Sequence, residues 1–198
     1  MRLFVALDIE DEIRNRIARF LEGVREFAPD ARWVRAESLH VTLKFIGEQP
    51  SPRAEDIKKA LAGIQSQSSQ IIFRGFGFFP TQRSARVFWA GVEADSNLAS
   101  LAALVEQRLV DLGLPAEDHA FNPHLTLARG SQERRSSGAP KHLSGDRTNR
   151  NFQRLQDKLA AMPVPEFGTM TAREFFLYES KLSPAGPRYT RLERFALS

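Results

Sequence analysis

Four side chains recur in one arrangement that suits proton transfer and phosphate binding: His40 with Thr42, and His124 with Thr126. Each pair belongs to a His-x-Thr-x stretch, His40-Val41-Thr42-Leu43 and His124-Leu125-Thr126-Leu127. A β-strand sends alternate side chains to opposite faces. If both stretches are strands, an imidazole and a hydroxyl stand side by side on one face. Val41 with Leu43, and Leu125 with Leu127, then form an apolar backing. Imidazole titrates near neutral pH, so one histidine can be neutral while another is protonated. Such a pair suits a reaction that needs a base and an acid on opposite sides of one centre. The two hydroxyls, with Arg129, would hold non-bridging phosphate oxygens, through bonds that strengthen as charge builds in the transition state. A cyclic phosphodiester fits: water attacks phosphorus on one side and a ribose oxygen leaves on the other. No nucleophilic Ser or Cys is required.

Blander readings stand beside this one. Threonine in a strand is often only β-propensity, and a histidine on a strand is often structural; His119 and His142 read as surface or loop residues. A two-histidine metal site lacks an acidic or Cys ligand near either motif, so no metal and no cofactor are assigned. The recurrence is what favours function. Sliding the chain along itself by the 84 positions between His40 and His124 brings further identities into register. Arg2, Phe4 and Ala6 fall on Arg86, Phe88 and Ala90. Asp11, Ala18, Glu22 and Ala36 fall on Asp95, Ala102, Glu106 and Ala120. With His40, Thr42 and Leu43 there are ten matches without a gap, where average usage gives roughly three. The sequence therefore reads as an internal duplication, one domain made of two halves, about 1–84 and 85–198. Halves related by an approximate two-fold axis would bring the two motifs to opposite sides of one cleft.

The elements that must hold the motifs follow from periodicity. Residues 2–9 read as a buried strand. Ile13, Ile17, Phe20, Leu21 and Val24 recur at helical spacing. Trp33 and Val34 lead into the first motif strand, which runs on to Gly47. Ser51-Pro52 is expected to cap and open a second helix. A strand over 71–73 precedes Gly75-Phe76-Gly77-Phe78-Phe79-Pro80, where the glycines predict a bulge or a close backbone approach. These phenylalanines read first as core aromatics beside a turn, and second as a surface that stacks on a nucleobase. Residues 86–92 form a strand. Asp95 or Ser96 caps a helix through Leu98, Leu101, Val105, Leu109 and Leu112, and Gly113 closes it. The stretch 130–147 is polar and Gly-rich, and is expected to be a loop near the cleft mouth. A last helix carries Phe152, Leu155, Leu159 and Met162, and two strands near 168–180 and 188–197 follow. Alternating helices and strands would also suit a parallel sheet. The short links at 80–85 and 181–187 favour hairpins, so the fold expected is α+β, with two antiparallel sheets flanking a central cleft and helices outside.

The bulk numbers set limits. A chain of 198 residues, 42% hydrophobic, can bury a core as one compact domain or two small lobes. A net charge of +4, with Arg far more frequent than Lys, suits an anionic partner, because Arg can fork onto phosphate oxygens. There is no cysteine, hence neither a disulfide framework nor a thiolate metal site. That fits a cytoplasmic setting. The apolar start is broken by Asp8 and is too short for a signal peptide or a membrane span.

On these residues the chain resembles the 2H phosphoesterases, and more closely the RNA 2',3'-cyclic phosphodiesterases, also called 2'-5' RNA ligases. The resemblance is carried by His40-Val41-Thr42-Leu43-Lys44-Phe45-Ile46-Gly47 and by Phe121-Asn122-Pro123-His124-Leu125-Thr126-Leu127-Ala128-Arg129. Arg2-Leu3-Phe4-Val5-Ala6, Phe76-Gly77-Phe78-Phe79-Pro80 and Arg86-Val87-Phe88-Trp89-Ala90 add to it. It implies a bilobed α+β fold and hydrolysis of RNA 2',3'-cyclic phosphate ends to 2'-phosphomonoesters without metal or ATP. Ligation through a 2'-5' linkage is implied as the reverse. It implies His40 as proton donor, His124 as acceptor, and Thr42 and Thr126 as phosphate ligands. Arg129 is the weaker match, since strict alternation turns it away from the face of His124. The implied partner is a single-stranded RNA end or tRNA fragment, or a small cyclic nucleotide, bound by a monomer. Phe45, Phe76 and Phe79 are the stacking candidates, because such ends are recognised by stacking and by ribose hydroxyl contacts. The competing reading is a non-catalytic module that binds nucleotides or RNA ends in the same cleft.

Overall fold

The computed structural model describes residues 1–130, 150–184 and 186–198. Most of the polar stretch 130–147, expected near the cleft mouth, lies outside the described residues. The elements follow the apolar pattern. Strand β1 (Arg2–Asp8) buries five consecutive residues, Leu3 to Leu7. Helix α1 (Asp11–Val24) buries Ile13, Ile17, Leu21 and Val24 on one stripe. A short strand β2 (Arg32–Trp33) precedes β3 (His40–Glu48), the first motif strand. Helix α2 (Ser51–Ala62) leads to the long strand β4 (Ser69–Phe79) and then β5 (Val87–Ala94). Helix α3 (Ser96–Asp111) precedes β6 (His124–Arg129), the second motif strand. Helix α4 (Arg150–Ala160) and strands β7 (Glu166–Ala172), β8 (Glu174–Ser183) and β9 (Gly186–Ala196) complete the described chain.

Local expectations fare unevenly. Asp95 caps α3 by accepting a hydrogen bond from the Asn97 N–H, and Gly113 closes it at φ +87°. Ser51 is no cap: it is the first helical residue of α2, and Pro50 precedes it without a side-chain bond. The stretch 71–79 is one strand, not a strand and a turn. A bulge at Arg74–Gly75, with Gly75 at φ +73°, keeps it paired throughout. The final segment holds three strands where two were expected, because Arg173 separates β7 from β8.

All strand pairs are antiparallel, which decides against the parallel alternative. The strands run β7-β4-β5-β6-β3-β1-β8-β9, with β2 added beside β6. Two four-stranded walls, β7-β4-β5-β6 and β3-β1-β8-β9, meet at one bridge, Val41 opposite Leu125. The two expected sheets are thus joined at their motif strands. They also curl: β7 and β8 lie far apart in strand order, yet one residue, Arg173, connects them. Only a strongly curved sheet brings its distant strands that close. Each wall mixes both halves of the chain, since β4 stands beside β5 while β8 and β9 stand beside β1. The core fills the convex side, with Val5, Leu7, Val41, Phe73, Phe88, Leu125 and Leu127 facing the helices. No helix among the described residues is long and apolar enough to cross a membrane.

The pairing also dates the duplication signal more carefully than identities do. On the first wall Asp8, Leu7 and Ala6 pair with His40, Val41 and Thr42. On the second, Gly91, Ala90 and Trp89 pair with His124, Leu125 and Thr126. Structural equivalence therefore relates Ala6 to Trp89 and Val5 to Phe88. The ungapped offset is out by one position in this strand, and Arg2/Arg86, Phe4/Phe88 and Ala6/Ala90 are not equivalent pairs. Phe4 faces the concave side while Phe88 lies in the core.

Candidate active site

The bridge between the motif strands sets the site. Val41 and Leu125 are opposite each other and fully buried, so their neighbours on each strand turn to the other, concave face. Continuing that register puts His40 across from Thr126, and Thr42 across from His124. All four side chains are half-buried on that face. The two histidines occupy diagonal positions, where side chains of a regular antiparallel pair stand about 7–8 Å apart. One phosphate group fits between imidazoles at that spacing.

Both rings are held alike. His40 Nδ1 lies 2.8 Å from the Ser38 carbonyl, and His124 Nδ1 lies 2.8 Å from the Asn122 carbonyl. A carbonyl oxygen only accepts, so each Nδ1 carries the proton and donates it. The neutral ring then keeps its free lone pair on Nε2. Aromatic walls fix the ring planes. Phe4 and Tyr189 lie 4.8 and 5.1 Å from His40, centroid to centroid, and Phe79 lies 5.0 Å from His124, edge on.

A matched irregularity shapes both strands. Pairing skips a residue at Leu43–Lys44 and again at Leu127–Ala128, so two successive residues turn to the core in each place. These bulges overturn the strict alternation expected after His124. Arg129 pairs with Val87 on the face of Trp89 and Thr126, and therefore points to the concave side. Its charge bears on His40, His124 and Tyr189 alike. Phe45 is its counterpart on the first wall, opposite Phe4 and 58% exposed. Phe79 shares the concave face with Val87. Phe76 does not: it pairs with Ala90 on the core side, against Phe78 and Phe88.

Several site residues went unnoticed in the sequence. Trp89 lies across Gly77, where a Cβ would come within 2.1 Å of the indole. That close approach explains the second glycine of the Gly75–Pro80 stretch. The chain's two tyrosines, Tyr178 and Tyr189, both stand beside His40. Asp8 pairs directly with His40 across the strands, and Arg14 and Arg191 both donate to its carboxylate. Asp8 had a visible signal, because alternation from Phe4 and Ala6 places it on their face. Tyr178, Tyr189 and Arg191 had none, since they come from strands distant in sequence.

Burial holds both imidazoles below the ordinary histidine value. For His40 the Ser38 carbonyl and the Asp8 charge oppose that shift, while Arg129 and His124 add to it. For His124, among the described residues, the Asn122 carbonyl opposes it and Arg129 adds to it. Burial raises both tyrosines, which stay neutral hydroxyl donors. The concave face thus offers two free Nε2 atoms, two threonine hydroxyls and a guanidinium. That set can hold a phosphate and move protons on two sides of it.

Comparison with known proteins agrees with this fold. The family model described as LigT-like phosphoesterase matches residues 7–89 and 91–189. A protein from Archaeoglobus fulgidus named RNA 2',3'-cyclic phosphodiesterase is 33% identical, over 98% of this chain and 99% of its own. A Thermus thermophilus protein of the same name is 33% identical, over 100% of this chain and 90% of its own. The crystal structure of E. coli LigT complexed with 3'-AMP superposes with a TM-score of 0.76 at 28% identity, covering 100% of this chain and 98% of that one. The chain belongs to the LigT-like phosphoesterase family, a class of hydrolases.

Proposed function

We propose that this protein hydrolyses RNA 2',3'-cyclic phosphate ends to 2'-phosphomonoesters by acid–base catalysis between His40 and His124. The reading rests on one observation above others: two identically tethered imidazoles share the concave face with two threonines across a single bridge. The names of the full-length relatives give it the substrate. His124, neutral at Nε2, takes a proton from water as its oxygen attacks phosphorus. His40, protonated, gives a proton to the departing 3'-oxygen of the ribose. Each turnover leaves His124 protonated and His40 neutral, and exchange with solvent restores both. Thr42, Thr126 and Arg129 hold the non-bridging oxygens, whose charge grows in the transition state. No metal or cofactor is assigned a part in these steps. Phe45 and Phe79 flank the cleft as surfaces for bases of the RNA end. With the same roles, a ribose 5'-hydroxyl in place of water gives its proton to His124 and attacks the cyclic phosphate, the 3'-oxygen leaves with the proton of His40, and a 2'-5' linkage forms.

All of these groups come from one chain, and we take the working unit to be a monomer, built as one domain by duplication of a half. A second reading has one observation in its favour: solved structures of E. coli LigT hold 3'-AMP, ATP and NADP+. On that reading the cleft binds nucleotides without turning them over. One assay separates the two. An oligonucleotide ending in a 2',3'-cyclic phosphate, incubated with the protein in chelator, should yield a 2'-phosphate. His40→Ala or His124→Ala should abolish the product. Binding without product, a 3'-phosphate product, or turnover that persists in both variants contradicts the proposal.

A further inference from the structure

The two histidines are equivalent in tether and register, yet a cycle needs one as acid and the other as base. We propose that Asp8, gripped by Arg14 and Arg191, is the positioning residue that makes them unequal and keeps the proton on His40. This rests on the acid–base reading above and deepens it.

Asp8 sits at the last position of β1, opposite His40, on the concave face. Arg14 Nη2 donates to Asp8 Oδ1 at 2.6 Å, and Arg191 Nη2 donates to Oδ2. The carboxylate is thus fixed in place by two charge-assisted bonds. Arg14 reaches further: it donates to the Ala36 carbonyl and, at 3.1 Å, to that of Ile9. The turn it holds, Ala36–Ser38, carries the Ser38 carbonyl that tethers His40. One guanidinium therefore fixes both the anion beside the ring and the acceptor behind it. Arg191 also donates to Tyr178 Oη at 3.3 Å and lies 4.6 Å over the ring of Phe176. The bridge lines a recess of about 120 Å³ at His40, together with Glu37, Tyr178 and Tyr189.

Among the described residues the second wall has no counterpart, and at the equivalent position its backbone forbids one. The position equivalent to Asp8 is Gly91, opposite His124. A Cβ on Gly91 would stand 2.2 Å from the Arg74 carbonyl, which the β4 bulge pushes into that space. No side chain fits there, so no carboxylate can. The asymmetry of charge follows from an asymmetry of backbone. The charged and titratable groups facing His40 are Asp8 from β1, Arg14 from α1, and Glu37 from the preceding turn. Tyr178 comes from β8, Tyr189 and Arg191 from β9, and His124 and Arg129 from β6. Glu37 is turned outward, paired with Arg35. Asp8 is the anion whose charge bears on His40.

The test is residue-specific titration of His40 and His124 by NMR in the free protein, beside rate against pH on the cyclic-phosphate oligonucleotide. Three proteins are compared: wild type, Asp8→Asn and Arg191→Gln. Asp8→Asn keeps the shape and removes the charge, so His40 should take its proton only at lower pH. The alkaline limb of the rate should move the same way, and turnover above neutrality should fall several-fold. Arg191→Gln removes a cation and leaves Asp8 less neutralised, so both should move to higher pH. His124 should hold its midpoint in all three. A purely structural bridge would shift both variants in one direction, or change the rate without moving His40. Either result overturns the proposal. If the wild type does not turn over at all, the proposed function fails, while the titrations still decide whether Asp8 governs His40.

Discussion

At the scale of residues, the proposed site is a pair of like groups given unlike tasks. The carbonyls of Ser38 and Asn122 fix both imidazoles in one tautomer, which leaves Nε2 of each to face the cleft in the proposed mechanism. The proposed roles predict an asymmetry that like placement alone would not. A phosphodiester with a nitrophenolate leaving group needs no proton, because that anion is already stable. His40→Ala should lose roughly 10²- to 10⁴-fold on the RNA substrate but far less on the nitrophenyl ester. His124→Ala should lose on both, since water must still be activated. Steady-state rates on the two substrates check this; equal losses in both variants would reverse or void the assignment. At this scale the sequence was legible for His40, Thr42, His124 and Thr126, because period-two alternation needs only local information. It names Arg129 as a phosphate ligand but turns it to the wrong face. One residue of bulge at Leu127–Ala128 reverses the face, and nothing in that local pattern marks it.

At the scale of elements, the two motif strands are stabilised differently behind matching bulges. The second bulge turns Ala128 into the core, and the first turns Lys44, a cation, into the same kind of place at 4% exposure. Lys44 Nζ is satisfied by Glu106 Oε2 at 2.5 Å and the Pro115 carbonyl at 3.0 Å. Glu106 Oε1 accepts the N–H of Glu117 at 2.8 Å, tying α3 to the chain that leads into β6. Burial works against the Glu106 charge, but the bonds from Lys44 and Glu117 outweigh it and hold the carboxyl below its ordinary value. A carboxylate whose folded value is depressed adds stability above its unfolded value and loses it as pH falls through the folded one. Glu106→Gln should therefore cost about 1–3 kcal/mol at neutral pH. The difference from wild type should shrink in acid. Urea unfolding at several pH values measures both effects. A difference that stays constant down to acid would show that the Lys44–Glu106 bond is not its source. The helices and strands were largely readable from apolar spacing. The continuous β4 was not, because Gly75 and Gly77 resemble turn residues when their partners, Val164 and Trp89, are out of view.

At the scale of the whole molecule, one curved sheet carries a histidine from each wall to a shared face. The recurrence of His-x-Thr-x revealed that two walls exist, but not how they are assembled. The β4 strand crosses to one wall and β8 and β9 to the other, so each wall draws on both halves of the chain. Long-range pairing of this kind leaves no local trace, and the strand equivalence emerged only from cross-strand partners. The consequence is a site in which burial and the charge of Arg129 act on both titrating groups in the same direction. In the free protein both sit below 6.5, so the optimum of kcat/KM should lie on the acid side of that value. A bound phosphate anion favours both protonated forms, so the optimum of kcat should lie at higher pH. The most direct measurement is kcat/KM against pH on a cyclic-phosphate dinucleotide in chelator. The account predicts a bell: the rate rises as the base loses its proton and falls as the acid does. The two apparent values belong to the pair. A flat profile through the histidine range, or a single limb, would contradict the joint action of His40 and His124.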